Sequence, residues 1–245
     1  MRRALAVMAF LSTQGNIGAL TSIVAVRTPT TLYLGADSLI MRWNGSEKSL
    51  RCKIQQSGEV FAGFALITGV AGTDFDFSRM ADDALCRKEP LRERIQRFAH
   101  EAQSGLTISL EALHRFEAEF FDRRADHRTV SEAVFLGFED EEPKMFLRWF
   151  VAGLEHGLVS ISEHAGDCPG TCPSGLLTAK LGIHQGEVLE VSAPPAGWYR
   201  DIPGAIERLI ERDIKEQPAH VAGPIAIVKI DGDGAHWIRQ GLCHP

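Results

Sequence analysis

The chain has 245 residues, of which 44% are hydrophobic, so a single domain of this length can bury a full hydrophobic core. Its formal net charge is −6, with 32 acidic and 26 basic residues mixed along the chain. This balance argues against a nucleic-acid partner or an anionic membrane surface, because both favour clustered basic residues.

Residues 1–20 differ in composition from the rest of the chain. Two arginines precede an apolar run at residues 4–11, and a small and polar tract follows at residues 12–19. These are the three parts of a secretory signal, and eight apolar residues are too few to span a bilayer. We therefore expect a signal peptide or propeptide at residues 1–20, and one domain at residues 21–245 that is exported and not inserted in the membrane. The alternative is a buried or frayed N-terminal segment of a cytoplasmic protein.

The next stretch predicts a β-hairpin with polar residues at its open end. A β-branched apolar run at residues 21–26 and a second strand at residues 31–37 flank the turn-favouring residues 27–30. In such a hairpin the first residue of one strand faces the last residue of the other, so Thr21 and Asp37 should meet.

A third strand, at residues 53–56, should place the amine of Lys53 beside Thr21 and Asp37. A threonine hydroxyl becomes a nucleophile only when a base removes its proton. Lys53 would supply a positive field and Asp37 would orient Lys53. The best base is the α-amine of Thr21, with a reference pKa of about 7.7 to 8.0, and this amine exists only if the chain is cut after Leu20. Taken singly, such residues are most often an edge threonine and a solvated ion pair.

The order and the spacing of these residues make a chance arrangement less plausible, because Asp37 lies 16 positions after Thr21 and Lys53 lies 16 positions after Asp37. The segment resembles the proteasome β-subunit branch of the N-terminal nucleophile (Ntn) hydrolases. In that family a threonine opens the first strand, an Ala-Asp pair closes the second, and a lysine opens the third, at these same intervals. The resemblance covers residues 21–72 well and is one of pattern only beyond them.

The resemblance also suggests an oxyanion-binding position. The apolar run at residues 60–69 is similar to the family's fourth strand, and Gly69 lies about where the family offers a backbone N–H to the oxyanion. Gly63 and Gly72 compete with Gly69 for this role. A glycine for tight packing or for the turn into a helix is the alternative explanation.

From the resemblance we expect an α+β fold, specifically a four-layer αββα sandwich of two antiparallel sheets, and a bacterial-type threonine hydrolase. Its substrate would be a peptide or a small amide, with no cofactor and no metal. The alternative is a catalytically inactive proteasome-fold subunit, a homo-oligomer that serves assembly or binding, as proteasome α-subunits do. Leu20 stands where the family has glycine before the threonine, and the serine and aspartate that the family places near the nucleophile from later in the chain are not located; both departures favour this alternative. Leu39 stands where the family often has arginine.

The middle of the chain is helical by pattern over residues 74–125. A first helix should be capped by Asp76 or Ser78 and extend to Arg87. A second should start at Pro90 and stop at residues 104–105, and a third should start at Ser109.

The pattern then changes to strands. We predict strands at residues 130–138, 145–151 and 158–162, with a solvated acidic turn at residues 139–143 and a loop at residues 166–175. Residues 182–192 read as a short strand or loop in which Glu187 or Ser192 could support the site. The final elements are a helix that starts at residues 203–206 and ends at Pro218, and a hairpin of residues 224–231 and 235–239.

The chain has five cysteines, an odd number, so at least one thiol is unpaired within it. Cys168 and Cys172 could close a disulfide in an exported protein, and a lone pair is weak evidence for zinc. Cys52 should point to the sheet face opposite Lys53, so we assign it to packing rather than catalysis. Ser22 is an alternative nucleophile, but it should face away from Asp37.

Overall fold

The computed structural model describes residues 21–41, 48–69, 75–116, 118–125, 127–172, 177–182, 190–192 and 197–243. The predicted leader at residues 1–20 and the candidates Gly72 and Glu187 lie outside these ranges. Within them the chain is a mixed α+β fold with antiparallel sheets. No helix in the described ranges is long and apolar enough to cross a lipid bilayer.

The first sheet has six strands, and every neighbouring pair in it is antiparallel. The strands are β1 (Ile23–Arg27), β2 (Leu32–Ala36), β10 (Leu177–Leu181), β11 (Glu190–Ser192), β12 (Ala226–Asp231) and β13 (Gly234–Arg239). Their order is β11-β10-β1-β2-β12-β13. β1 and β2 form the predicted hairpin, and Ile23 lies opposite Ala36, so the open end of the hairpin lies beyond this pair.

The second sheet is an antiparallel meander of five strands in the order β5-β6-β7-β8-β9. They are β5 (Ile54–Ser57), β6 (Val60–Leu66), β7 (Arg128–Glu139), β8 (Glu142–Glu155) and β9 (Leu158–Cys168). The last three are longer than predicted. The loop predicted from Gly166 is wrong at its start, because Cys168 still pairs with Met145 of β8. The backbone of β9 stays paired with β8 as far as Cys168, although the Gly- and Pro-rich composition that suggested a loop begins at Gly166.

A short ribbon between Asp37 and Lys53 was not predicted. It consists of β3 (Leu39–Met41) and β4 (Lys48–Leu50), with Leu39 opposite Leu50. Strands of three residues carry too little alternation to be recognised in a sequence. The ribbon matters because it folds the chain back between the two candidate site residues that flank it.

The helices are α1 (Phe77–Leu85), α2 (Leu91–Phe116), α3 (Ala118–Arg124) and α4 (Ile202–Glu216). Asp76, one of the two predicted caps, caps α1 by accepting a hydrogen bond from the backbone N–H of Arg79, and the helix ends at Leu85 rather than at the predicted Arg87.

The predicted helix break at residues 104–105 is wrong, because α2 runs through it. The Ser104 hydroxyl donates to the carbonyl of His100 in the preceding turn and caps nothing. A Cβ on Gly105 would lie 2.6 Å from the Phe75 ring, so this glycine lets α2 pass Phe75 closely. The packing outweighs the intrinsic helix penalty of glycine, about 1 kcal/mol.

Three groups of buried side chains join these elements. The first includes Phe64 of β6, Phe77 of α1 and Phe98 of α2, with the rings of Phe98 and Phe135 of β7 4.9 Å apart. The second joins the two sheets, with Ile23 of β1 among its members. The third, which joins the six-stranded sheet to α4, contains Val24, Val26, Ile206 and Ile210. Successive residues of β1 therefore face opposite sides of its sheet, as strand geometry requires.

Candidate active site

Thr21 lies two residues before the start of β1, at the open end of the first hairpin. The backbone N–H of Asp37 donates to the carbonyl of Ser22 at 3.0 Å, which continues the hairpin beyond the Ile23–Ala36 pair. Thr21 is only 5% exposed. Its side chain contacts Lys53, which precedes β5 of the other sheet. The hydroxyl therefore belongs to the space between the sheets, on the side of β1 that Ile23 occupies.

The carboxylate of Asp37 is fixed by backbone groups from three segments. Its Oδ1 accepts the N–H of Ser22 at 2.9 Å, and its Oδ2 accepts the N–H of Leu39 at 3.0 Å and that of Ala222 at 3.3 Å. The residue is 1% exposed. A carboxylate with three backbone donors cannot rotate freely, so it presents one defined oxygen edge to Lys53.

Lys53 connects the other two residues. Its Nζ donates to Asp37 Oδ1 at 2.6 Å and to Thr21 Oγ1 at 3.1 Å. The side chains of Lys53 and Asp37 are 5% and 0% exposed. Burial lowers the pKa of Lys53 and raises the pKa of Asp37, and their mutual attraction opposes both shifts. The three backbone donors and the ammonium favour the ionised carboxylate, so we describe the pair as charged.

This geometry brings together the three residues that the sequence singled out by spacing. A positive charge 3.1 Å from a hydroxyl stabilises the alkoxide that forms when the proton leaves, and it disfavours protonation of a nearby amine. Burial of the ion pair removes competing water and strengthens this field. The arrangement is suited to nucleophilic attack by Thr21 Oγ1.

The structure does not place Gly69 against Thr21 in any contact among the described residues. Gly69 forms an isolated bridge with Asp76 after the end of β6, and its role at an oxyanion remains a prediction. Gly63 lies inside β6, where a Cβ would come within 3.3 Å of Ile23, so it serves packing between the sheets. Ser192 is the last residue of β11, and its backbone is opposite Thr178.

A buried carboxylate from late in the chain contacts Ser22, the residue after the candidate nucleophile, and the sequence analysis did not locate it. Asp213 of α4 is 2% exposed and accepts a hydrogen bond from the Ser22 hydroxyl at 2.6 Å. Its other oxygen is 3.0 Å from Lys180 Nζ. A signal existed, because Asp213 follows Ile206 by seven positions and Ile210 by three and therefore lies on the apolar stripe of the helix. Ser22 faces α4, away from Asp37's side chain and Lys53.

A disulfide lies next to the candidate lysine. Cys52 bonds to Cys243, and a second disulfide joins Cys168 and Cys172. The second was an open expectation, while the first corrects the assignment of Cys52 to simple packing. Cys86 is free and exposed. The Cys52–Cys243 bond ties the segment before Lys53 to a turn 191 residues away.

Within the described part of the chain, no group of three or more His, Cys, Asp or Glu side chains is arranged to hold a metal ion. No protein-family model matches the chain, and no curated protein matches it.

Proposed function

We propose that the protein is a proteasome-like Ntn threonine hydrolase, which cleaves amide bonds, and peptide bonds in particular, after removal of residues 1–20. The observation that carries the proposal is the contact of Lys53 Nζ with Thr21 Oγ1 at 3.1 Å while the same nitrogen is paired with buried Asp37. Spacing alone can be coincidental. Polar residues at strand ends are usually exposed to solvent, whereas here a hydroxyl, an ammonium and a carboxylate contact one another inside the core.

The finer fold assignment, a four-layer αββα sandwich, belongs to the same proposal. It is supported by the three groups of buried side chains, which join α1–α3 to the five-stranded sheet, that sheet to the six-stranded one, and the latter to α4. Thr21 lies two residues before a strand of one sheet, and Lys53 lies directly before a strand of the other. An active site between two sheets follows from this arrangement.

The proposed reaction begins with the freed α-amine of Thr21, which takes the proton of its own hydroxyl. Oγ1 attacks the substrate carbonyl carbon, and the resulting oxyanion is stabilised by backbone N–H groups, for which Gly69 is the predicted donor. The C–N bond then breaks, the leaving amine takes the proton, and an ester on Thr21 remains. Water hydrolyses the ester and regenerates the amine and the hydroxyl.

Each charged residue has one task in this scheme. Lys53 keeps the α-amine unprotonated near neutral pH by its positive field, and Asp37 holds Lys53 in place. Export of the protein is part of the proposal, and the two disulfides among the described residues support it, because disulfides persist in oxidising compartments.

Two measurements test the proposal. Intact mass of the purified protein should show a mature chain that begins at Thr21, and a β-lactone or epoxyketone probe should add one equivalent to it. Thr21→Ala should abolish the addition, and Thr28→Ala, the same chemical change in the turn that follows β1, should not. A stable chain that retains Leu20, forms a ring or dimer by light scattering and reacts with neither probe would instead support the inactive-subunit alternative.

A further inference from the structure

Glu132 is a buried carboxylate that the proposed reaction does not use. It lies on β7 and is 1% exposed. Strand alternation places it on the same face as Val134 and Leu136, which pack between the two sheets. Its neighbours across β6 and β8 are Ala65 and Trp149, and neither carries a charge. Glu132 therefore lies in an apolar row of the five-stranded sheet.

The partner of Glu132 comes from the opposite sheet. Glu132 Oε2 accepts a hydrogen bond from the backbone N–H of Gly182 at 2.7 Å. Gly182 directly follows β10, whose last residue, Leu181, pairs with Ile23 of β1. This register places Gly182 beside the start of β1, where Thr21 lies.

Gly182 packs on the backbone of the candidate nucleophile. Its φ is +96°, a conformation that favours glycine, and a Cβ built on it would overlap the carbonyl group of Thr21. The same Cβ would lie 3.2 Å from the Cα of Thr21. A continuous chain of contacts therefore leads from the carboxylate of Glu132 through the Gly182 backbone to the Thr21 backbone.

The lysines on the segments that lead to Gly182 and Thr21 pair with other carboxylates. Lys180 of β10 is paired with Asp213 beside α4, and Lys53 is paired with Asp37. On the sheet of Glu132, the next titratable group along the row is the exposed His164, whose ring stacks on Trp149. Burial raises the pKa of Glu132 to about 7, and the Gly182 N–H offsets only part of this shift.

We infer that Glu132 is a positioning residue for Thr21, because its carboxylate holds the Gly182 backbone against the backbone of the nucleophile. The inference rests on the proposed function, since it assigns Glu132 a part in that same reaction. A neutral glutamine would accept the same hydrogen bond without placing a charge in the core, so the structural need alone does not require a carboxylate. A hydrogen bond to an ionised acceptor is roughly twice as strong as one between neutral groups. The hold on Gly182 is therefore firmer above pH 7 than below it.

The first test follows Gly182 itself and does not depend on activity. In the full-length chain, labelling with leucine ¹³C′ and glycine ¹⁵N selects the Leu-Gly pairs in NMR, which are residues 34–35, 136–137 and 181–182. One of the three amide signals should titrate with a midpoint near pH 7, and this titration should vanish in Glu132→Gln. If no signal titrates, or if the titration survives the substitution, Glu132 does not govern this turn and the inference is overturned.

The second test compares rates of probe addition to Thr21 between wild type and Glu132→Gln across pH. The wild-type rate divided by the Glu132→Gln rate should be about 10 at pH 8.5, the value expected when a charge-assisted hydrogen bond becomes a neutral one. It should fall to about 1 at pH 5.5, where the wild-type carboxyl is neutral too. In each protein the rate is first corrected to the fully unprotonated α-amine, measured from its own titration, so that a difference in the pKa of that amine does not enter the ratio. A ratio that stays constant with pH would show that Glu132 only packs in the core, and would overturn the inference that its carboxylate positions Thr21.

Glu111→Gln is the matched control. Glu111 also accepts a backbone N–H, that of Val159 at 2.9 Å, but this hydrogen bond and Arg115 lower its pKa, so it does not titrate near pH 7. The wild-type rate of probe addition divided by the Glu111→Gln rate should therefore stay constant from pH 5.5 to 8.5. If the wild-type protein does not react with any probe, the proposed function fails, while the titration of Gly182 still decides whether Glu132 holds the turn.

Discussion

Replacement of Lys53 by methionine separates a catalytic ion pair from a purely structural one. Methionine keeps most of the length and the apolar stem of lysine and removes the charge. For unit charges 3.1 Å apart, an effective dielectric constant of about 20 gives an interaction of about 5 kcal/mol between the ammonium and a full alkoxide on Thr21. The transition state carries only part of that charge. We therefore expect probe addition to slow by at least about 100-fold and by no more than about 10⁴-fold.

The same substitution should also reduce stability. It leaves the carboxylate of Asp37 buried without its counter-ion, a change that typically destabilises a protein by about 3 to 5 kcal/mol. Asp37 retains three backbone donors, from Ser22, Leu39 and Ala222, so we expect about 3 kcal/mol, at the lower end of that range. Urea unfolding measures this loss, and the second-order rate of β-lactone addition measures the loss of reactivity.

A double variant and a surface control complete the experiment. Adding Asp37→Asn to Lys53→Met removes the stranded charge, so stability should return in part while reactivity should not. Lys48→Met makes the same chemical change on exposed β4, where the Lys48 ammonium donates to the carbonyl of Ala219, and it should leave the rate within about two-fold of wild type. Folded Lys53→Met protein that reacts at the wild-type rate would refute the reasoning.

Three further predictions concern the surroundings of the site. Burial raises the pKa of Glu132 from 4.5 to about 7, so its ionisation opposes folding, and the stability of the wild-type protein should fall as pH rises from 4.5 to 7. In urea unfolding, Glu132→Gln should be about as stable as wild type at pH 4.5 and more stable by about 3 kcal/mol at pH 8.5. Cys243→Ser opens a loop of 191 residues, so it should destabilise the protein by about 5 kcal/mol and slow probe addition through the Lys53 segment. Cys172→Ser opens a loop of 4 residues, so it should destabilise by about 2 kcal/mol and leave probe addition unchanged. Equal effects of the two variants would contradict a role for the first disulfide. Ser22→Ala should retain probe addition and lose about 1 to 3 kcal/mol, because Asp213 loses a buried hydrogen-bond donor, and loss of all labelling in a folded protein would make Ser22 the nucleophile.

The hairpin and the two residues at its open end, Thr21 and Asp37, were predictable because their information is local. β1 and β2 are adjacent in the chain and joined by a short turn, so their register follows from the turn, and Thr21 and Asp37 follow from the register. Lys53 required more than local pattern, since the ribbon β3–β4 intervenes and was not predicted. Its placement beside Asp37 came from the family spacing.

The residues that were missed are brought to the site by long-range packing. Asp213 is 191 positions from Ser22, and Glu132 is 50 positions from Gly182. Nothing in a local window indicates such pairs. A single charged residue within an otherwise apolar strand or helix face was the available signal, and its meaning depends on which elements pack together.

The helix α2 shows the opposite kind of error, in which a local signal was over-read. Ser104 and Gly105 form a sequence typical of a helix end, but Gly105 is there to accommodate the ring of Phe75. Tertiary packing decides such cases, because helix propensities differ by only about 1 kcal/mol between glycine and alanine. The strand lengths of β7, β8 and β9 were underestimated for a related reason, since cross-strand pairing extends past the apolar core.

The central claim is that Thr21 becomes an N-terminal nucleophile, and peptide mapping of the probe-treated protein tests it most directly. Trypsin should release residues 21–27 from a mature chain and residues 4–27 from a chain that keeps its leader. With the β-lactone as the probe, we predict that the peptide of residues 21–27 carries an ester on the threonine oxygen and a free α-amine, and that Lys53→Met strongly reduces this adduct. An unmodified peptide of residues 4–27 from folded, probe-treated wild-type protein would contradict the claim.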